Sequence, residues 1–147
     1  MISKILVAMD GSESSLKAYQ YASFLAKQCD AALLIVNIFD MFERISSKIK
    51  QELGEIAKQI EAEGGTAVTL QILDDYKFLA KDSGIKDVKI VRREGNAAAE
   101  ILLIADEEKV DTIVIGSTGI NTVKEFRVGG VPHKIVHHAK CPVTVVR

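Results

Sequence analysis

Apolar residues in this chain fall into short unbroken runs separated by stretches in which they recur every three or four positions. The first run, "KILVAMD" (4–10), ends at the turn cluster Asp10-Gly11-Ser12, as a buried strand leading into a helix does. Over 13–28, Leu16, Tyr19, Ala22 and Ala26 keep helical spacing, and "AALLIVNIF" (31–39) is short enough for a second central strand. From 42 to 60, Phe42, Ile45, Ile49, Leu53, Ile56 and Ile60 step by three or four, the clearest helical stripe in the sequence. Gly64-Gly65 end or bend it. Beyond them Leu70, Leu73 and Lys77 fit a helix while Val68, Leu70 and Ile72 alternate as in a strand; the helix is the preferred reading.

"VKIVRREG" (88–95) predicts a third strand closing on Gly95, with Asn96 placed to cap a helix through Ile101, Leu102 and Ala105. "DTIVIG" (111–116) predicts a fourth. A helix over about 131–139, then Pro142 and the strand "VTVVR", complete the chain. Strands alternating with helices imply an α/β fold, with one parallel sheet covered on both faces, because each parallel crossover needs a connection of helix length. Ligands of such sheets sit beyond the carboxyl ends of the strands, where the strand order reverses. Asp10 and Gly116 both lie at that edge. They face each other if the order is 3-2-1-4-5; in the order 2-1-3-4-5, Asp10 would face the Arg92–Gly95 end of the third strand. Periodicity does not choose between these orders.

The 147 residues suit a single domain spanning 1–147, in which roughly 70% of the unfolded chain's surface is buried on folding. Nineteen basic against twenty acidic side chains leave a net charge of -1, too little field to gather polyanions, so nucleic-acid binding is not favoured. No run approaches the roughly 20 apolar residues that cross a bilayer, and the amino terminus lacks a signal peptide's apolar core. A cytoplasmic protein without membrane contact is the expectation. Cys29 and Cys141 are too few for a metal site or disulfide framework and read as reduced, packed thiols.

The loop "GSTGINTVKEFRVGG" (116–130) carries the candidate chemistry. Gly116 follows a buried strand, Gly119 comes three residues later, and Gly129 follows a nine-residue spacer just before a helix. Phosphate needs inward-pointing backbone N–H groups with no Cβ in the way, and a helix N-terminus adds partial positive charge. Strand-to-helix loops also carry glycine for turn geometry alone. The loop matches neither G-x-x-x-x-G-K-[ST] nor the dinucleotide motif G-x-G-x-x-G.

"VIGSTG", nine residues, then "GGVPHKIVHHAKCPVTVVR" resembles the C-terminal signature of the universal stress protein family, G-x-x-G-x9-G-[ST] followed by a histidine-bearing helix and a CPV strand. "ILVAMDGSESS" and "VRREGNAAAEIL" are similar to that family's other typical stretches, so the likeness spans nearly the whole chain, with 42–86 the least matched part. The resemblance implies an open five-stranded parallel sheet of order 3-2-1-4-5 with helices on both faces (Rossmann-like). In one branch of the family it also implies ATP at the switch point. Asp10 and Gly116 would then hold the ribose, Val36 backbone would meet the adenine, and Gly119, Gly129, Gly130 and Val131 would meet the phosphates. AMP or ADP would suit the same pocket, and Mg2+ could accompany the phosphates. The resemblance further implies a homodimer in which Val143, Thr144, Val145 and Val146 pair with their copies across a twofold axis, and the exposed edge of a terminal apolar strand argues the same way.

Two departures fall at the phosphates. Gly130 stands where the motif has Ser or Thr, and Pro132 lacks an N–H in the helix's first turn. Losing one hydrogen bond to a charged group, roughly 1.5–3 kcal/mol, weakens binding by about ten- to a hundredfold, whereas first-turn proline is well tolerated. A nucleotide-free dimeric interaction module acting through protein partners is therefore the rival reading.

Other motifs have plainer explanations. Asp10-x-x-Glu13 resembles a capping box. "DGS" lacks the second acid of a phosphoaspartyl enzyme. His133 and His137 share a helical face but have no evident third metal ligand, and basic residues at that helix's end suit its dipole. No nucleophile is paired with a base, so no catalytic residue can be nominated. At most, slow ATP hydrolysis is conceivable.

Overall fold

The computed structural model describes residues 1–39, 68, 70–117 and 130–147. Five strands and four helices alternate through them: β1 (Lys4–Ala8), α1 (Glu13–Cys29), β2 (Ala32–Phe39), α2 (Leu70–Asp82), β3 (Val88–Glu94), α3 (Ala97–Glu108), β4 (Thr112–Gly116), α4 (Gly130–His138) and β5 (Val143–Val146). The helix predicted over 42–60 lies outside the described residues. In the ambiguous stretch after Gly65, α2 is helical: Leu73 and Ala80, seven residues apart, are both buried, so the period of 3.6 prevails over the period of two.

All strand pairs are parallel and the sheet order is β3-β2-β1-β4-β5. That excludes the order 2-1-3-4-5: β1 lies beside β4, and β2 separates it from the Arg92–Gly95 end of β3. Alternate residues of each strand enter different cores. Ile5, Val7, Leu33, Ile35 and Val114 face α1 and α2, whereas Leu6, Leu34, Val36, Ile113 and Ile115 face α3 and α4. Burial on both faces is why these strands read as continuous apolar runs. Each fully buried Leu or Ile contributes about 1.5–3 kcal/mol.

Each helix docks by a small set of contacts. Tyr19 of α1 and Tyr76 of α2 have ring centroids 4.7 Å apart, and the Tyr19 hydroxyl donates to the Tyr76 carbonyl at 2.9 Å. Asn96 caps α3 as expected, its side-chain oxygen accepting from the Ala99 N–H at 3.1 Å. At the amino edge of the sheet, Asp111 Oδ2 accepts from the Ser3 N–H and hydroxyl, both at 2.8 Å, and from the Lys4 N–H at 2.9 Å. Those bonds from Ser3, together with that from Lys4, hold the Asp111 carboxyl below the ordinary carboxylate range.

Candidate functional site

At the carboxyl edge, β1 ends one residue short of Met9, and the chain turns through Asp10 and Gly11 into α1. Gly11 has φ 86, a left-handed conformation that glycine adopts without steric cost. The capping residue is Ser12: its hydroxyl oxygen accepts from the Ser15 N–H at 3.1 Å. This corrects the capping-box reading of Asp10. Asp10 instead stands one step further out, its Oδ1 accepting from the Ser12 N–H at 2.9 Å and the Ser12 hydroxyl at 2.5 Å. A cap donor turned toward Asp10 leaves the carboxylate fixed through one oxygen, while Oδ2 has no partner among the described residues.

Met9 anchors this turn from both sides. Its N–H donates to the Val36 carbonyl at 2.8 Å, and its carbonyl accepts from the buried Asn37 side-chain amide, also at 2.8 Å. Asn37 in turn accepts from Arg92 Nε at 3.2 Å, and the Arg92 guanidinium lies 4.6 Å from the centre of the Phe39 ring. The end of β1 is thus tied through β2 to β3.

Across the crevice, β4 ends at Gly116. A Cβ there would lie 2.3 Å from Ser14 Oγ and 2.7 Å from both the carbonyl carbon and oxygen of Ser14. Gly116 is therefore where the first turn of α1 is seated against β4, a packing role that the glycine spacing did not reveal. At Gly130, by contrast, a Cβ would meet nothing within 4 Å.

Between these elements lies a cavity of about 270 Å³, just below the range of about 300–1,000 Å³ usual for small-molecule sites. Asp10, Val36, Gly116, Gly130 and Val131 all line it, so five of the seven residues singled out for a nucleotide converge on one space. Gly119 and Gly129 lie outside the described residues. Sequence reasoning missed most of the apolar wall: Ala8, Ile38, Ala97, Ile101 and Ile115. Ile38 had a signal, since it follows Val36 by two and so shares its face. Pro132 is buried and also lines the cavity, with Lys134 one half-turn further along α4.

The remaining expectations fall elsewhere. β5 is an edge strand, paired on one side with β4. Cys29 and Cys141 are free thiols, each half-buried, and burial pushes the Cys141 thiol up. The His133 and His137 rings stack at 6.1 Å, and among the described residues no group of three His, Cys, Asp or Glu side chains is arranged to hold a metal ion. No described helix is long and apolar enough to cross a membrane.

Comparison with known proteins agrees with this architecture. The family model described as "Universal stress protein family" matches residues 1–147. Universal stress protein YxiE of Bacillus subtilis (strain 168) is 35% identical over 154 residues, covering 100% of both chains. Universal stress protein UspA from Lactobacillus plantarum superposes with a TM-score of 0.76 at 23% identity, over 99% of this chain and 98% of its own. A universal stress protein solved in complex with cAMP gives a TM-score of 0.72 at 28% identity, over 99% of this chain and 97% of its own. With the whole length matched and the strand order, switch-point crevice and interrupted glycine motif in place, the chain belongs to the universal stress protein family.

Proposed function

We propose that this protein binds an adenine nucleotide, ATP or its mono- or diphosphate, at the carboxyl edge of the sheet and acts as a homodimeric regulator. The observation that carries the reading is the half-engaged carboxylate of Asp10, held by Ser12 at the mouth of a cavity whose wall is otherwise mainly apolar. A flat purine suits walls of Val36, Ile38 and Ile101, and a sugar hydroxyl suits the unengaged Asp10 oxygen. The related protein solved with cAMP, at 28% identity, supports an adenine ligand.

The roles follow from this placement. Asp10 and Gly116 meet the ribose. Val36 lies at the base, although its carbonyl already accepts the Met9 N–H, so its part is as wall more than as acceptor. The parallel ladder directs the Ile38 backbone to the same side, past the end of β1, and Ile38 is the better backbone contact for the base edge. The phosphates meet Gly119, Gly129 and the N–H groups of Gly130 and Val131 at the start of α4, with Mg2+ as their companion. Bound nucleotide at the start of α4 alters a surface that protein partners read. β5, through Val143, Thr144, Val145 and Val146, pairs with its copy in a second chain.

Calorimetric titration with ATP, AMP and GTP tests the reading. Heat with the adenine nucleotides and little with GTP is the expected result; no heat at millimolar ligand, or no preference for adenine, refutes it. Sedimentation equilibrium tests the dimer, which a monomer at all accessible concentrations would exclude. Gly130 and Pro132, which remove a hydroxyl and an N–H from the phosphate end, favour a second reading as a nucleotide-free interaction module. Mass spectrometry of gently purified protein separates the two, carried-over nucleotide favouring the first.

A further inference from the structure

Resting on the nucleotide reading, we infer that Lys134 replaces the missing hydroxyl of residue 130 as the phosphate contact at the start of α4, so that affinity depends on the charge of the ligand's phosphate. Three observations converge on it.

First, among the described residues lining the cavity, Lys134 is the one cation and Asp10 the one anion. Lys134 makes no ion pair or hydrogen bond with any described residue, whereas Lys4, Lys17, Lys86, Lys89 and Lys140 all reach carboxylates. Among the described residues its charge has no structural partner, and unlike the equally unpaired Lys27, Lys77, Lys81 and Lys109 it lies on the cavity wall.

Second, Lys134 is four residues after Gly130 in the same helix. Positions i and i+4 share a face, and side chains on a helix lean toward its N-terminus, over the preceding turn. That lean carries the Lys134 side chain toward the turn that starts with Gly130, and both residues line the same cavity. There the space is open: a Cβ on Gly130 would meet nothing within 4 Å. A long flexible cation one turn along can occupy the room that a serine or threonine at position 130 would have used.

Third, the neutral donors at this helix start are depleted. Pro132 has no N–H, which leaves Gly130 and Val131 as the amides of the first three helical positions. A phosphate here gains fewer hydrogen bonds than a full turn of amides would give, and a positive charge is the remaining way to hold it. Asp10 does not compete for that charge: it is engaged by Ser12 and forms no ion pair with Lys134.

Calorimetric titration of adenosine, AMP and ATP into the wild-type protein, Lys134→Gln and Lys134→Arg tests the assignment, with thermal melts to confirm folding, because Lys134 is exposed. Lys134→Gln is expected to weaken AMP and ATP by about ten- to thirtyfold while leaving adenosine unchanged. Lys134→Arg is expected to recover most of that loss, and added salt to weaken ATP binding to the wild type more than to Lys134→Gln. Equal weakening of adenosine and ATP, or no change in either, overturns the inference while the nucleotide reading stands. A wild-type protein that binds none of the three overturns both.

Discussion

Gly116 offers a sharp test of how α1 is seated. Its replacement by alanine introduces one methyl group, and the backbone there has no left-handed φ, so strain in the new residue's own conformation is not at issue. The effect is one of space. The nearest neighbour is Ser14 Oγ at 2.3 Å, and the Ser14 carbonyl carbon and oxygen at 2.7 Å belong to the backbone of α1 and cannot rotate aside. To reach ordinary contact at 3.4 Å the first turn of α1 must move by roughly 0.7 Å. That turn is not free to drift, because Ser15 and Ala18 are buried on its inner side. Overpacking of this kind costs about 1–3 kcal/mol, which for a chain of this size lowers Tm by about 2–4 °C per kcal/mol. Equilibrium urea unfolding of Gly116→Ala, with Gly130→Ala as the control in open space, reads the cost as a shift in midpoint at unchanged slope. If Gly116→Ala matches the wild type to within about 0.3 kcal/mol, a value inside ordinary surface variation, α1 is not seated on β4 as described.

Other substitutions probe the remaining contacts. Gly130→Ser has room for its side chain and is expected to tighten AMP and ATP binding in calorimetry, by about tenfold in the Lys134→Gln background and by less where Lys134 already serves the phosphate; an unchanged affinity in both would show that the phosphate does not use this position. Ser12→Ala removes both the cap of α1 and the hydroxyl donor to Asp10, and is expected to lower stability by about 0.5–2 kcal/mol in urea unfolding, with weaker nucleotide binding. Asp111 titrates below its ordinary value of 3.8, so its contribution to stability is whole above that pH and is lost as pH falls below it. Asp111→Asn is accordingly expected to be less stable near neutrality and to show a shallower loss of stability in acid, measured as urea midpoints across an acid pH series.

The strands were legible because burial on both faces leaves no polar alternation to interrupt an apolar run, as in Leu33 to Val36. The order of those strands was not, since periodicity carries no information about which run neighbours which; the family resemblance supplied 3-2-1-4-5, and the parallel registers agree. At the site, Asp10 and the glycines stood out as residue types with few bland uses. Ile38, Ala97, Ile101 and Ile115 did not, because an apolar wall residue looks like any core residue until the chain is folded. Two residues were legible, but the contacts that seat them were not. Asp10 was a candidate cap, yet Ser12 lies closer to the helix and takes that place, leaving Asp10 as its acceptor. Gly116 was singled out for a ligand, while its tightest neighbour is Ser14, a contact between chain segments about a hundred residues apart that no local pattern encodes.

Met9 is clamped on both flanks, its amide by Val36 and its carbonyl by Asn37. An acceptor that follows directly from such a residue, and whose own Oδ1 is held by the Ser12 N–H and hydroxyl, has little freedom to swing toward a donor. On the proposed nucleotide reading, stereochemical fidelity is the outcome: a sugar whose hydroxyl is inverted or displaced would find little compensating adjustment from Asp10.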